Sequence, residues 1–498
     1  MNAGQWDWSD WSNMMGQQTG QKELFSYQVD LDRRIRADHP LRAIRAQIDF
    51  SFVREEVAHC YGYNGQVSVD PEVILKLMFL LFLDNVKSER ELMRTVPERL
   101  DYLWFLGFGL EDEIPDHSVF SKARARWGQP VFESLFVRTV QQCVAVGLVD
   151  GAKLHLDGSL ITANASRDSV VRSGPELITA LKRAYAVEER KLGGCIGDPS
   201  YQPVNASLCS TTDPDAPLVR QKHAAPDSRP RYKQHRAVDD RCGVVTAVVT
   251  TPGDVPEPAE SVALIEQHET NTGQLAATVV ADRQHGSAEN YRQLQTRGLV
   301  THIAPCLPDR AEAAGIFPRE RFHYDETHDV YTCPAGQTLH PRRLNERRQA
   351  YEYVTRKGVC TRCALRSLCT RSASARTLQR HERQELIDQA RTQGLSPQAR
   401  RDRIRRRYLM EGSFAQAANC HGFKRARWRR LWRQQIQDWL IAACQNVKLL
   451  LRACHPGPRP AQGHLLATPG TQLLGCSTFL HDLLRPLHSL VPASLCFP

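Results

Sequence analysis

The sequence predicts a mixed α/β fold, in which a helical N-terminal region precedes a sheet-bearing core. Three observations point to it. Residues 26–150 carry apolar residues at helical spacing. Residues 151–305 alternate short β-branched runs with helical stretches, as a mixed sheet flanked by helices does. Residues 399–452 return to helical periodicity after a polar, Arg-rich and Cys-bearing insertion at 306–398. At 498 residues the chain has room for about three domains.

Taken in order, residues 1–25 are polar, Gln-rich and spotted with tryptophan, a loose lead-in. Between Pro71 and Asn85, apolar residues at 73, 74, 77, 78, 80, 81 and 83 cover nearly the whole helix circumference, which marks a buried helix. Ser88 suits the cap of the next helix, and Asp116 or Ser118 that of SVFSKARARW. Residues 131–146 continue as helix. At 153–157 apolar and polar residues alternate, as in a half-buried strand. Residues 195–230 are rich in Pro, Asp and Ser and read as loop. Strands follow at 232–238 and 243–250 around a turn at 239–242. Then come a helix at 258–270, a strand at 275–281, a helix at 287–297 and a strand at 299–304. In the last helix Trp432, Ile436, Trp439, Ala443, Val447 and Leu450 recur every three or four residues, an apolar stripe for the core. Residues 453–498, rich in Pro, Gly and His, read as a disordered tail. There are no internal repeats.

A hydrophobic fraction of 41% and a charged fraction of 24% are ordinary for a soluble globular protein. The net charge of +10 and a pI near 8.9 approach the range of nucleic-acid binders. The charge is concentrated: Arg400 to Arg433 holds twelve basic residues against the two acids Asp402 and Glu411. The N-terminus lacks the basic and apolar blocks of a secretory signal. The most apolar run, 73–83, is broken by Lys76 and too short to span a bilayer. A cytoplasmic location without membrane attachment is therefore expected. Disulfides are not expected there among the fifteen cysteines, and Cys143 and Cys444 lie in apolar helical patterns as buried thiols. Cys333, Cys360, Cys363 and Cys369 stand apart, in one polar insertion that contains a CxxC. Four such thiolates can close a tetrahedral structural zinc site; the alternative is four reduced thiols in a small subdomain.

Three carboxylates carry the chemistry. Asp157 in LHLDGSLITANAS and Asp282 in ATVVADRQHGSAEN each end a short apolar run, and Glu411 in RRRYLMEGSFAQAANCHGF lies in a helical pattern. Taken singly, an aspartate at a strand end caps a turn or faces solvent. Here Asp157 follows the inward-pointing Leu154 and Leu156 and precedes Gly158, which admits close approach. Arg407 lies one turn before Glu411, either as a surface ion pair or as a phosphate contact beside a metal site. Acids gathered from separate segments repel unless cations lie between them. Hard divalent ions take oxygen ligands and clamp the attacking and leaving oxygens of a phosphoryl displacement.

Over most of residues 14–452 the chain resembles the DDE transposases of bacterial insertion sequences, in the group with an InsH-type N-terminal domain. The resemblance rests on MMGQQ, DHPLRAI, SVDPEVILKLMFL, SERELMR and LDYLWFLGFGLEDEIPDHSVFSKAR near the N-terminus, and on HLDGSLITANAS and VVADRQHGSAEN in the core. It continues through YTCPAGQTL, CTRCALRSLCTRSASARTL, EGSFAQAANCHGFKRARWR and QIQDWLIAACQNVKLL. It implies an RNase H-like catalytic core at 151–305 and 399–452, and a DNA-binding helical domain at 26–150. It also implies an acidic triad of Asp157, Asp282 and Glu411 as catalytic residues and ligands of two Mg²⁺ ions, with Mn²⁺ able to substitute. The implied reaction is cleavage and strand transfer at the inverted repeats of the element, into target double-stranded DNA, by a homodimer in the bacterial nucleoid. Two departures stand out: Gln284 and His285 replace the usual Gly and aromatic after the second aspartate, and Ala418 replaces a frequent Lys.

Arg407, Lys424, Arg425, Arg427, Arg429 and Arg430 are expected to meet DNA phosphates, against the alternative of a solvated helix face. For Lys122, Arg124 and Arg126, DNA contact and simple exposure are equally open. The departures keep a second reading in view, a DNA-binding descendant of a transposase with impaired catalysis. The Arg-rich segment and the helical N-terminal region argue against a hydrolase of small phosphoesters.

Overall fold

The computed structural model describes residues 29–61, 68–172, 174–191, 208–220, 228–304, 315–346, 349–372 and 374–454. The expected lead-in and nearly all of the expected tail lie outside these. Eight helices come first: α1 (Leu31–Arg34), α2 (Pro40–Gln47), α3 (Phe52–Val57), α4 (Pro71–Leu83), α5 (Glu89–Thr95), α6 (Leu100–Leu106), α7 (Ser118–Trp127) and α8 (Pro130–Ala145). α4 starts at Asp70, whose carboxylate accepts the Glu72 N–H, with Pro71 in the first turn, and every residue from Leu77 to Leu83 is buried. Ser88 caps α5 through the Glu91 N–H. Before α7 it is the Asp116 carboxylate that accepts the Ser118 N–H, at 2.8 Å.

The core sheet begins with β1 (Lys153–Thr162). A short pair, β2 (Val170–Arg172) and β3 (Leu208–Ser210), brackets α9 (Pro175–Lys191), and β4 (Leu218–Arg220) joins the edge of β5 (Ser228–Asp239). β6 (Val245–Pro252), α10 (Ser261–Thr272), β7 (Thr278–Val280), α11 (Ala288–Thr296) and β8 (Val300–Thr301) follow. The strands lie in the order β6-β5-β1-β7-β8. β5 is antiparallel to β1 and to β6, whereas β7 runs parallel to β1 and β8 parallel to β7. The loop expected at 195–230 thus contains two short strands where it is described, and the strand expected at 275–281 starts later, Leu275 being 80% exposed.

The insertion folds as an antiparallel sheet of β9 (His323–Asp325), β10 (Val330–Thr332), β11 (Thr338–Asn345), β12 (Ala350–Val354) and β13 (Thr377–His381), with the one-turn α12 (Arg366–Cys369) beside it. Its core is small: Phe322, Tyr331, Leu339, Tyr353 and Leu378. α13 (Gln384–Leu395), α14 (Pro397–His421) and α15 (Leu431–Cys454) complete the chain.

One face of β1 presents Leu154 and Leu156 to a core shared with Leu264 and Ile265 of α10 and Tyr291 and Leu294 of α11. On the other face Ile161 joins a core built with the N-terminal helices and α15. α15 is buried far beyond its expected apolar stripe, because its amide side chains bond to the edge strand β6. Asn446 exchanges two hydrogen bonds with the Val245 backbone, and Gln435 meets the Thr250 N–H and the Val248 carbonyl. These amides satisfy backbone groups that a further strand would otherwise pair. No described helix is long and apolar enough to cross a membrane.

Candidate active site

Asp157 and Asp282 come to the site from neighbouring parallel strands. β7 pairs with β1 only as far as His155, and Asp282 stands two residues beyond the last β7 residue. Past that point the edge of β1 is taken up by the segment after α14: the Thr162 N–H donates to the Lys424 carbonyl and the Ala426 N–H donates to the Thr162 carbonyl. The stretch of β1 around Asp157 therefore faces a gap between two covering segments.

Each aspartate is held in place, Asp157 within β1 and Asp282 at a turn. Asp157 Oδ1 accepts the Gly158 N–H at 2.9 Å, and Oδ2 accepts Nη1 of Arg406 at 2.8 Å. Asp282 Oδ1 accepts the Gln284 N–H at 2.8 Å and caps the turn Arg283–His285. Burial raises the Asp157 carboxyl above the ordinary aspartate value; Arg406 opposes that rise and the Asp282 charge adds to it.

A third carboxylate, not expected from the sequence, completes the group. Glu257 is buried in the turn before α10 and is pushed up to about 7 by burial, with Asp157 and Asp282 adding like charge. One of its carboxylate oxygens, one of Asp282 and a ring nitrogen of His285 lie within 4.8 Å of one another. His285 is 1% exposed, and burial holds its imidazole well below the ordinary histidine value. Gly158 is what lets Glu257 in, since a Cβ there would meet Glu257 Cγ at 2.9 Å.

Glu411 is placed differently. It is exposed on α14, five residues after Arg406, which is about 140° around the helix from the residue that reaches Asp157. It makes no hydrogen bond or ion pair with the described residues, and the structure does not bring it into the buried group.

The basic residues divide in two. Arg407, Lys424, Arg425 and Arg429 are exposed, with Lys424 Nζ 2.6 Å from Ser159 Oγ, two residues past Asp157. Lys122 and Arg126 are also exposed, Arg126 lying over the Tyr61 ring at 4.8 Å. Three others leave the expected DNA-contact set, because their guanidinium groups are committed inside the fold. Arg124 is 3% exposed, paired with Glu89 and stacked 4.0 Å over Trp428. Arg427 donates to the carbonyls of Leu81 and Val86 and to Asn85. Arg430, 2% exposed, donates to Asp215 at 2.8 Å.

Cys333, Cys360, Cys363 and Cys369 all line one small cavity of about 20 Å³, room for a single water-sized guest. The Gln337 N–H donates to Cys333 Sγ at 3.3 Å, and Thr355 Oγ1 is 3.2 Å from Cys360 Sγ. No three of these sulfurs come within 4.8 Å of one another.

Glu257 and Arg406 were not legible as site residues. Glu257 sits in GDVPEPAES, a turn-like stretch that carries three acids, and Arg406 is one of a run of arginines.

Comparison with known proteins adds the family. The transposase domain DUF772 matches residues 29–126, and the transposase DDE domain matches residues 332–451. Glu411 lies in the second match, whereas Asp157 and Asp282 lie between the two. No curated protein matches the sequence. Among solved structures, the cryo-EM structure of a piggyBac transposase synaptic complex with hairpin DNA aligns over 92% of this chain and 87% of that one, at 10% identity and a TM-score of 0.24. The matches to a transposase domain and to a transposase DDE domain together support an insertion-sequence DDE transposase.

Proposed function

We propose that this transposase binds the ends of its element and carries out divalent-cation-dependent DNA strand cleavage and strand transfer on an RNase H-like core. The observation that carries the reading is the proximity of Asp157, in the middle of β1 two residues past its last pairing with β7, to Asp282, two residues beyond β7, close enough for the charge of one to raise the pKa of the other. The strand order β6-β5-β1-β7-β8, three antiparallel strands followed by two parallel to β1, supports the assignment of the core. With Glu411, contributed by the family resemblance, the two aspartates form an all-oxygen donor set suited to Mg²⁺ or Mn²⁺. Cations held there supply Lewis acidity and a lowered water pKa for attack on a phosphodiester.

The chain's own residues supply placement. Gly158, Arg406 and the Gln284 N–H fix the two aspartates before substrate arrives, so little reorganisation is left for the reaction. Lys424, Arg425, Arg407 and Arg429, with Lys122 and Arg126, hold backbone phosphates of double-stranded DNA, giving affinity and register without sequence choice. Two ends require two active sites, which a homodimer on DNA provides. An exposed Glu411 with no partner among the described residues is available to an external cation, while Glu257 is the acid packed next to the aspartates.

The test is an end-cleavage assay with purified chain, Mg²⁺ and DNA carrying the element's ends. Asp157→Asn, Asp282→Asn and Glu411→Gln each lose cleavage by about a thousandfold or more, as loss of a metal ligand implies, and retain DNA binding. Retained cleavage in any one rejects that residue as a ligand. Loss in Glu257→Gln but not in Glu411→Gln transfers the third place to Glu257. A wild-type chain that binds ends without cutting them is instead a DNA-binding descendant.

For the insertion we propose a structural zinc ion held by Cys333, Cys360, Cys363 and Cys369. The shared cavity and the chemistry of four free thiols support it. The sulfurs must draw closer to close such a site.

A further inference from the structure

The departure at His285 creates a donor set of its own. His285 is 1% exposed. Its Nδ1 is 3.0 Å from Ser261 Oγ, at the start of α10. With the proton on Nδ1 and donated to that oxygen, the lone pair of Nε2 points away from the serine. Among the described residues Nε2 has no hydrogen-bond partner, and neither has Oε2 of Glu257, itself 9% exposed. The two orphaned atoms stand 3.7 Å apart, too far for a hydrogen bond. Two ligands each about 2.1 Å from one ion are separated by about 3.4 Å at a tetrahedral angle. Asp282 closes the trio, all within 4.8 Å.

Two buried polar atoms that face each other without a partner cost stability unless something lies between them. A proton shared between Glu257 and His285 needs a shorter separation. A water supplies no positive charge against Glu257 and Asp282 where both are ionised.

We propose that Glu257, Asp282 and His285 form a divalent cation site that selects first-row transition ions over Mg²⁺. Magnesium takes oxygen ligands and leaves an imidazole unused, whereas Mn²⁺ accepts one imidazole beside its oxygen ligands and Co²⁺ and Zn²⁺ bind imidazole more strongly still. Ser261 is a positioning residue, fixing the tautomer and ring plane as outer partners of metal-bound histidines do. The site shares Asp282 with the proposed catalytic pair, so it adds a metal preference to that reading, but its binding does not require DNA cleavage.

The test uses the full chain without DNA. Mn²⁺ binding is measured by equilibrium dialysis against competing Mg²⁺, and nitrogen coordination by the ¹⁴N coupling in pulsed EPR of bound Mn²⁺. The wild type is expected to hold Mn²⁺ against about a hundredfold excess of Mg²⁺ and to show the imidazole coupling. His285→Asn is expected to lose the coupling and about tenfold or more in Mn²⁺ affinity, and Ser261→Ala to keep the coupling at reduced affinity. Thermal melting of each variant confirms folding. Asp157→Asn separates the two proposals, since it loses cleavage and keeps the nitrogen signal. Absence of coupling in the wild type, or an unchanged Mn²⁺ to Mg²⁺ ratio in folded His285→Asn, overturns the site whether or not the chain cuts DNA.

Discussion

Gly158 leaves no room for a side chain, and the neighbour that fills its space is Glu257. Gly158→Ala must push Cγ of Glu257 aside, an overpacking that costs about 1–3 kcal/mol and moves the carboxylate away from Asp282. Chemical denaturation and Mn²⁺ binding both read the change. The glycine itself was legible beside Asp157 as a point of close approach, but nothing local says that the approaching group comes from the turn before α10. Glu257 also carries a pH signature. Its folded pKa of about 7 lies above the ordinary 4.5, so the folded state holds the proton that the unfolded state gives up between those values. Its contribution to stability is therefore present below pH 4.5 and lost as pH rises toward 7. In metal-free protein, Glu257→Gln removes this loss and gains on the wild type across that window, by up to about 3 kcal/mol. A difference between the two unfolding free energies that stays flat from pH 4.5 to 7 would refute the assignment.

Among the elements, α7 shows how far helical geometry can be taken from sequence. Lys122 and Arg126 are four residues apart and share a face, whereas Arg124 lies about 200° from Lys122. That offset turns Arg124 toward Glu89 and Trp428, where its burial is complete enough to depress its pKa. Charge alone made the three look alike; the helical period separates them. Arg124→Ala removes the guanidinium partner of the half-buried Glu89, which keeps only the Trp428 Nε1–H bond, together with the stacking on Trp428, and is expected to cost about 1–3 kcal/mol in denaturation. Lys122→Ala and Arg126→Ala are expected to leave stability unchanged and to lower the salt slope of DNA binding by about one each. An unchanged slope removes α7 from the DNA surface. α15 gives the opposite lesson. Its apolar stripe was readable, but nothing in the pattern says that Gln435 and Asn446, which lie off that stripe, serve the edge of β6. α9 carries no signal strong enough to stand out from the polar stretch that follows it.

For the molecule as a whole, the insertion between β8 and α13 is a separate problem in stability. The core sheet is braced on both faces by helices, but the insertion's own sheet rests on five buried apolar side chains. A core of that size rarely supplies more than about 3–5 kcal/mol, so small units of this kind need a staple. Its strands were not legible because β11 is polar along most of its length and exposed at five consecutive positions, which blurs the alternation that marks a strand. The cysteines were legible from spacing, and the fold gathers all four around one cavity. If zinc is the staple, purified chain carries about one zinc ion, and a chelator frees the thiols and undoes this sheet selectively. Limited proteolysis should then cut within 315–381 while the main thermal transition persists, and Cys363→Ser should behave like the stripped wild type. Metal analysis giving well under one zinc, with a proteolytic pattern indifferent to chelator, would leave four reduced thiols and assign the sheet's stability to its tyrosine cluster, in which Tyr331 and Tyr353 meet edge to face at 5.1 Å.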